Sequence, residues 1–575
     1  MIHQPAPYLT LSAVRARFLL VLLMLGLIGL AGRALYLQGI NHNFLQQEGK
    51  SRYSHIVEMG ATRGMIADRH GEVLAISSPV ASICADPKLV SATKPELKVL
   101  ADLLQLDLSE IESLVANKNR RFVYLKRRVP PGVADSVAKL ALPGVFLQNE
   151  SQRFYPAGEV TAHILGFTGI DDNGQEGVEL AWQDTLAGEL GSRRVVKDRK
   201  GKIVENVEDI NLPRQGQDLV LALDSGIQYL AHSELKRAAK AHRAESGSVV
   251  VLDAKTGEVL ALSNWPVFNP NRRSSFTPSG IRNRALVESL ELGSTLKPFS
   301  VAIAMELGVV NSDTVIQTAP GMLRIGRRTI RDVQNKGALS VAQVIQTSSN
   351  VGTAKIALSL PPETMWEMLN RSGFGSSVNL GFPGEAEGEL RPYNDWRVVD
   401  QATMSYGHGI TASLMQLARA YTLFTNDGEL LPVSLLKRNS SVMGQKVISK
   451  ETALAMSGML EMVVQPGGTA PLAQVNGYRV AGKTGTAHKY IEGKGYAKNR
   501  YIASFVGYAP ATNPRLIVAV MLDEPSAGQY YGGLVAAPIF SKVMSGALRM
   551  LNVPQDAPVN NVVSFPVAAG FEVGG

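Results

Sequence analysis

The chain has 575 residues, 45% hydrophobic and 19% charged, a composition that fits two or more globular domains with substantial cores. Its formal charge of +8 comes from scattered lysines and arginines with no basic stripe interleaved with aromatics; this argues against a nucleic-acid interface and leaves a mild affinity for anionic membrane or wall polymer. Cys84 is the only cysteine, which excludes an intrachain disulfide and a cysteine metal cluster.

Residues 18–32 are uncharged and strongly apolar, Arg33 interrupts the run, and Ala34-Leu35-Tyr36-Leu37 extend it. A stretch over 18–37 is long enough to cross a bilayer if Arg33 snorkels toward the headgroups. A cleaved signal peptide ending at Ala31-Gly32 is the rival reading. Arg15 and Arg17 before the run point to a cytoplasmic N-terminal tail over 1–17 and an exported body. No later run is long enough to span.

From about 40 to 215 the pattern alternates between short strands and polar helices. The apolar spacing of Leu97, Leu100, Leu103, Leu104, Ile111 and Leu114 predicts helix over 95–118, and Pro130-Pro131-Gly132 breaks the next element. On its residues alone this region is a scaffold without chemistry, with Arg63, Asp68 and Arg69 as structural ion-pair residues. A second domain begins near 219 with the apolar Leu219-Val220-Leu221-Ala222-Leu223, followed by a helix capped by Asp224 or Ser225. Residues 248–262 form two apolar runs around a polar turn and predict a hairpin.

Glu291-Leu292-Gly293-Ser294-Thr295-Leu296-Lys297-Pro298-Phe299 then places a serine and a lysine three residues apart, ahead of a run apolar on nearly every side. That run predicts a buried helix, with Pro298 in its first turn, where a missing N–H costs least. Ser294 and Lys297 would share one face, one turn apart. A serine hydroxyl is a weak nucleophile until a neighbouring base takes its proton, and a neutral lysine amine can do so. Ser-x-x-Lys alone is weak evidence: it recurs at Ser91, Ser136, Ser233 and Ser434, mostly as solvated helix faces.

What singles out Ser294 is the order that follows. Ser348-Ser349-Asn350 comes next, in a stretch predicted to be helical over 340–358, and then Lys483-Thr484-Gly485-Thr486, after a short strand that would present its backbone to a ligand. Ser377-Val378-Asn379, in a Gly-rich loop, and Lys255-Thr256-Gly257, in the hairpin turn, match by type but not by order. His408, between Gly407 and Gly409, is read as structural. Leu414 to Phe424 predict a helix, 503–508 and 516–522 paired strands, 529–533 the start of a last helix, and the residues from 552 a tail.

These motifs resemble those of class B penicillin-binding proteins of the division type. Arg63-Gly64-Met65-Ile66-Ala67-Asp68-Arg69-His70-Gly71, Arg153-Phe154-Tyr155-Pro156, Ala162-His163-Ile164-Leu165-Gly166 and Glu176-Gly177-Val178-Glu179 are similar to that family's pedestal signatures. Val196-Lys197-Asp198-Arg199-Lys200-Gly201 and Leu380-Gly381-Phe382-Pro383-Gly384-Glu385 are similar to the division subgroup. The resemblance implies an α/β (α+β) transpeptidase fold, a central antiparallel sheet flanked by helices plus an all-helical subdomain, over 219–551. It also implies an elongated pedestal over 40–215, an uncleaved anchor over 18–37 and a tail over 552–575.

The implied activity is peptidoglycan D,D-transpeptidation in septal wall synthesis, through a serine acyl-enzyme and without metal or organic cofactor. Ser294 would be the nucleophile, Lys297 its base, Ser348 a proton relay, and Asn350 a holder of Lys297 and the substrate amide. Lys483, Thr484, Gly485 and Thr486 would bind the substrate, with the backbone N–H groups of Ser294 and Thr486 as oxyanion hole. Implied partners are peptidoglycan stem peptides, β-lactam antibiotics, the inner membrane, a polytopic septal glycosyltransferase and other division proteins. A non-catalytic division scaffold and a serine β-lactamase-like hydrolase are the alternatives, and no deacylating glutamate can be assigned in the chain.

Overall fold

A computed structural model describes residues 12–40, 54–197, 203–440, 442–491, 493 and 495–562. Most of the expected N-terminal tail, Asp198 to Gly201 of one division-type signature, and residues 563–575 lie outside them.

The chain divides into two compact units. The first comprises 1–61, 82–148 and 188–215. Its helix Ala13–Leu35 exposes every side chain and continues as a wider turn over Tyr36–Ile40. Residues Ala13–Gly39 are long and apolar enough to cross a membrane, slightly longer than the expected 18–37. Strands Ser54–Met59, Gly191–Lys197 and Ile203–Asn211 form an antiparallel sheet.

The helix expected over 95–118 is two helices, Lys94–Leu104 and Leu108–Ala116. Gln105 lies between them in the left-handed region at φ 50°, which ends the first helix, and Asp107 stands at the N-cap of the second. Leu97, Leu100, Leu104 and Ile111 are buried as the spacing predicts. Strand Val123–Val129 stops at the Pro130-Pro131 pair, and Pro131 opens helix Pro131–Leu140, where its absent N–H is harmless.

The second unit comprises 62–81, 149–187 and 216–575, so it takes in part of the region expected as pedestal. The cause is local. Strand Ile66–Ala67 pairs in parallel with Leu219–Val220. The Arg63 and Arg153 guanidinium groups both hold the buried carboxylate of Glu179, at 2.6 and 2.7 Å. Asp68 accepts hydrogen bonds from the Ser225 hydroxyl and the His70 and Glu72 N–H groups. Arg63 and Arg69 make ion pairs as expected, Arg69 with Glu258 at 3.5 Å, whereas Asp68, also expected in an ion pair, acts as a hydrogen-bond acceptor and pairs with no cation among the described residues. The strand at Leu219 is shorter than the apolar run, because Leu221 instead bridges to Leu436.

The core of this unit is a five-stranded antiparallel sheet in the order Val259–Trp265, Ser246–Asp253, Leu516–Asp523, Gly495–Ala509, Ala481–Ile491. Ser246–Asp253 and Leu516–Asp523 are buried at every position, so both faces are covered. Helices Ser225–Ala241, capped by Asp224, and Ala537–Met550 pack on each other and on the sheet; Leu414–Ala420 packs on Ser246–Asp253 and Leu516–Asp523. A helical layer of Lys297–Glu306, Val341–Thr347, Asn350–Ala357, Pro362–Arg371 and Lys450–Val464 packs around the first of these. It is not all-helical: Val315–Gln317 pairs with Ala338–Ser340, and Met322–Ile325 with Arg328–Arg331.

The expected tail is tied down at its start. The Tyr478 hydroxyl donates to the Val553 carbonyl at 2.7 Å, Asp556 accepts from the Arg479 N–H and the Thr512 hydroxyl, and Asn561 accepts from the Gly477 N–H.

Candidate active site

Ser294 lies in a single 3₁₀ turn, Gly293–Leu296, that runs into helix Lys297–Glu306 with Pro298 in its first turn. The Lys297 N–H closes that turn on the Ser294 carbonyl. Gly293 enters at φ 54°, and its N–H donates to the Gly407 carbonyl at 3.2 Å. The two backbones are so close that a Cβ on Gly407 would lie 2.1 Å from the Gly293 oxygen. Behind the turn, the Thr295 hydroxyl donates to the Leu292 carbonyl and the buried Tyr421 hydroxyl to the Thr295 carbonyl. Lys297 to Ala304 are all buried, as the all-round apolar run requires.

Residues 340–358 differ from the single helix expected. Helix Val341–Thr347 ends at Ser348, which sits in the left-handed region at φ 60° and ψ 42°, and Ser349 caps a second helix, Asn350–Ala357. A non-glycine residue in that region is strained unless its surroundings hold it. Asp332 does so: its carboxylate accepts from the Ser349 hydroxyl at 2.6 Å and from the Asn350 and Val351 N–H groups at 2.5 and 3.0 Å. This carboxylate was not found in the sequence; its only signal is an acidic residue ahead of a helix N-terminus.

The break turns Ser348 into the meeting point of the three motifs. Lys297 Nζ donates to the Ser348 carbonyl at 2.5 Å and to its hydroxyl at 3.1 Å. Lys483 Nζ donates to the same hydroxyl at 3.0 Å and to Thr484 Oγ1 at 3.2 Å. Both lysines have 0% of their surface exposed. Burial holds the Lys297 amine far below the ordinary lysine range, with the Lys483 charge adding to the effect and Asp332 opposing it. Burial lowers Lys483 to about 7.

Ser294 is half-buried, one turn ahead of Lys297. Among the described residues its hydroxyl takes no hydrogen bond, and Lys297 donates to Ser348 rather than to Ser294. Catalytic contacts in an empty site are often long and tighten only with substrate. Asn350 departs further from expectation. Its amide donates to the Arg331 carbonyl at 3.0 Å and does not reach Lys297, because the helix break aims it toward the Arg328–Arg331 strand.

Lys483, Thr484, Gly485 and Thr486 lie on Ala481–Ile491, the edge strand of the sheet, which packs on the Gly293–Leu296 turn at Gly485. Gly485 is required by crowding: a Cβ there would come within 2.3 Å of Ser504 Oγ. Thr484 Oγ1 is 2.8 Å from Thr469 Oγ1, and Thr486 Oγ1 accepts from the Gly532 N–H at 3.0 Å. The out-of-order Lys255 is exposed in its hairpin turn. His408 packs its ring on Tyr406 and Tyr496 at 5.2 and 5.7 Å. The arrangement can hold a neutral amine beside a serine, relay a proton through a second serine, and offer a cation and an open strand edge to an anionic peptide terminus.

Residues 247–545 match the family described as penicillin binding protein transpeptidase domain, and 58–221 the penicillin-binding protein dimerisation domain. The probable peptidoglycan D,D-transpeptidase PenA of Neisseria meningitidis is 41% identical over 549 residues, 95% of this chain and 94% of the relative. The peptidoglycan D,D-transpeptidase FtsI of Escherichia coli K12 is 40% identical over 541 residues, covering 93% and 91%. Among solved structures, the apo transpeptidase domain of Burkholderia pseudomallei penicillin-binding protein 3 is 46% identical with a TM-score of 0.55, covering 59% of this chain and 98% of that one.

Proposed function

The chain belongs to the penicillin-binding protein transpeptidases, and we propose that Ser294, Lys297, Ser348 and Lys483 carry its chemistry. It is a serine-type D-Ala-D-Ala transpeptidase that cross-links peptidoglycan stem peptides in septal wall synthesis and binds β-lactams. The observation that supports these residue roles best is the Ser348 hydroxyl, held by Lys297 at 3.1 Å and Lys483 at 3.0 Å.

Lys297, kept neutral by burial and the Lys483 charge, takes the Ser294 proton as Oγ attacks the penultimate D-Ala carbonyl. The Ser294 and Thr486 N–H groups receive the oxyanion, and donors aimed at developing charge usually supply the largest share of the acceleration. Ser348 passes the proton to the departing D-Ala. Lys483 and the Thr484 and Thr486 hydroxyls hold the terminal carboxylate, with the peptide laid along Ala481–Ile491 as an added strand. Gly485 allows its close approach. Asn350 orients the substrate amide. A neighbouring stem's amine then takes the acyl group and frees Ser294.

The reading extends to the rest of the chain. Residues 18–37 anchor a single-pass inner-membrane protein, with 1–17 cytoplasmic and the catalytic domain, 219–551, periplasmic. Residues 40–215 serve as a pedestal that engages a polytopic septal glycosyltransferase and other division proteins, and 552–575 form a tail. Similarity to chains named FtsI and the two basic residues, Arg15 and Arg17, in the first turns of the apolar helix support this.

Fluorescent-penicillin labelling tests the site. Ser294→Ala should take no label, and alanine at Ser91, Ser136, Ser233 or Ser434 should label like the parent. Label retained in Ser294→Ala would refute the assignment.

A further inference from the structure

Strands Met322–Ile325 and Arg328–Arg331 form a hairpin around Gly326-Arg327, and its two faces differ in kind. Leu323, Ile325 and Ile330 pack into a small core with Val351, Ala354, Ala402 and Tyr406. Arg324 and Arg331 leave from the opposite face, Arg327 and Arg328 from the turn end, and Lys336 follows; all five are exposed. Asp332 is the only acidic residue from 314 to 362, and Ser349, Asn350 and Val351 already engage its carboxylate. Five cations against one acid leave an excess of four positive charges here, half of the chain's +8. Among the described residues none of the five forms an ion pair; Arg324 Nε donates to the Gly326 carbonyl at 3.2 Å, within the hairpin itself. Such a cluster focuses a positive potential and draws anions. The hairpin is also built into the loop that carries the second serine. The Arg331 carbonyl accepts from the Asn350 amide at 3.0 Å, and the Asp332 N–H donates to the Gly321 carbonyl at 3.0 Å.

A guanidinium group matches a carboxylate in geometry, through two parallel hydrogen bonds. No aromatic residue stands from 314 to 362, so these cations lack the rings that a membrane-surface element sets beside its basic residues. Peptidoglycan supplies carboxylates in series: each unjoined stem ends in a D-Ala carboxylate, and one glycan strand carries many stems. We propose that this hairpin is a docking surface for peptidoglycan strands, on which Arg324, Arg327 and Arg328 bind the carboxylates of stems that have not been cross-linked. Each exposed pair is weak, but a repeated polymer engages several together, and a strand held there raises the local concentration of stems for the site.

The inference rests on peptidoglycan as the substrate. The probe is a fluorescently tagged glycan strand bearing pentapeptide stems and no cross-links. Full-length protein in detergent is first acylated to completion with penicillin, which closes Ser294 to the stems and shows that each variant is folded. Binding, read by anisotropy, should be measurable for the parent at low salt and weaken as salt screens the charges. Arg324→Gln with Arg327→Gln and Arg328→Gln should weaken it about tenfold or more, the combined effect of three exposed pairs. Arg371→Gln with Lys450→Gln and Arg549→Gln removes the same charge from other exposed positions and should bind like the parent. Parent-like binding by the hairpin variant, an equal loss in the second variant, or undiminished binding of strands whose carboxylates are amidated would overturn the inference. A hairpin variant that loses binding to phosphatidylglycerol vesicles but not to strands would overturn it too, assigning the surface to anionic lipid. Each of these results leaves acylation at Ser294 standing. A parent protein that takes no penicillin would instead refute the catalytic reading, and its strand binding can still be measured.

Discussion

Lys297 has to be uncharged to take a proton from Ser294, and two causes lower its pKa: burial first, then the Lys483 charge. A base whose pKa falls is deprotonated at lower pH, so the second-order rate constant of acylation should rise with pH and level off well below 10.5. Lys483→Gln removes the neighbouring cation. The Lys297 pKa then climbs, and the rising limb should move to higher pH, along with a general fall in rate from the lost carboxylate contact. A limb that stays in place would show that the two amines are not coupled. The motif residues themselves were legible in the sequence, because three short motifs in one order are far rarer than any one of them. The left-handed backbone of Ser348 was not, since serine carries no signal for it and Asp332, which holds it, lies outside the motif.

Among elements, the Gly293–Leu296 turn depends on a contact with another turn. Gly407 has φ 86°, and any Cβ there would press on the Gly293 carbonyl. Gly407→Ala should cost on the order of 1–3 kcal/mol from the backbone alone, with acylation slowed because the strained contact moves the turn that holds Ser294. Denaturant midpoint and acylation rate, measured together, check this; an unchanged midpoint would contradict the close packing. Strands and buried helices were well marked by their apolar runs: the hairpin Ser246–Asp253 to Val259–Trp265, the paired strands Gly495–Ala509 and Leu516–Asp523, and the nucleophile helix. Breaks inside helical patterns were not. Gln105 and Ser348 are ordinary helix residues by propensity, and tertiary contacts decide their conformation.

For the whole molecule, the second unit gathers 62–81 and 149–187 with the catalytic fold. Glu179 is the pivot, a fully buried carboxylate between two buried guanidinium groups. Glu179→Gln leaves those cations without a countercharge and should destabilise the unit by about 3–5 kcal/mol, read as a lowered urea midpoint. An unchanged midpoint would make the network dispensable. The signatures around Arg63, Arg153 and Glu179 were visible in the sequence as motifs, whereas their convergence on one carboxylate was not, because the partners are far apart along the chain. The apolar helix Ala13–Leu35 buries nothing, so a protein begun near Gln46 should be soluble and acylate at the full-length rate; loss of acylation in that folded protein would make the anchor part of the active unit. The most direct test of transfer through Ser294 is to incubate the protein with a stem pentapeptide ending in D-Ala-D-Ala and an amine-bearing stem peptide, and to weigh the products. Release of one D-Ala per cross-linked dimer formed, with neither product in Ser294→Ala, is the result expected; dimer formation by Ser294→Ala, or D-Ala release that yields only hydrolysed peptide, would contradict it.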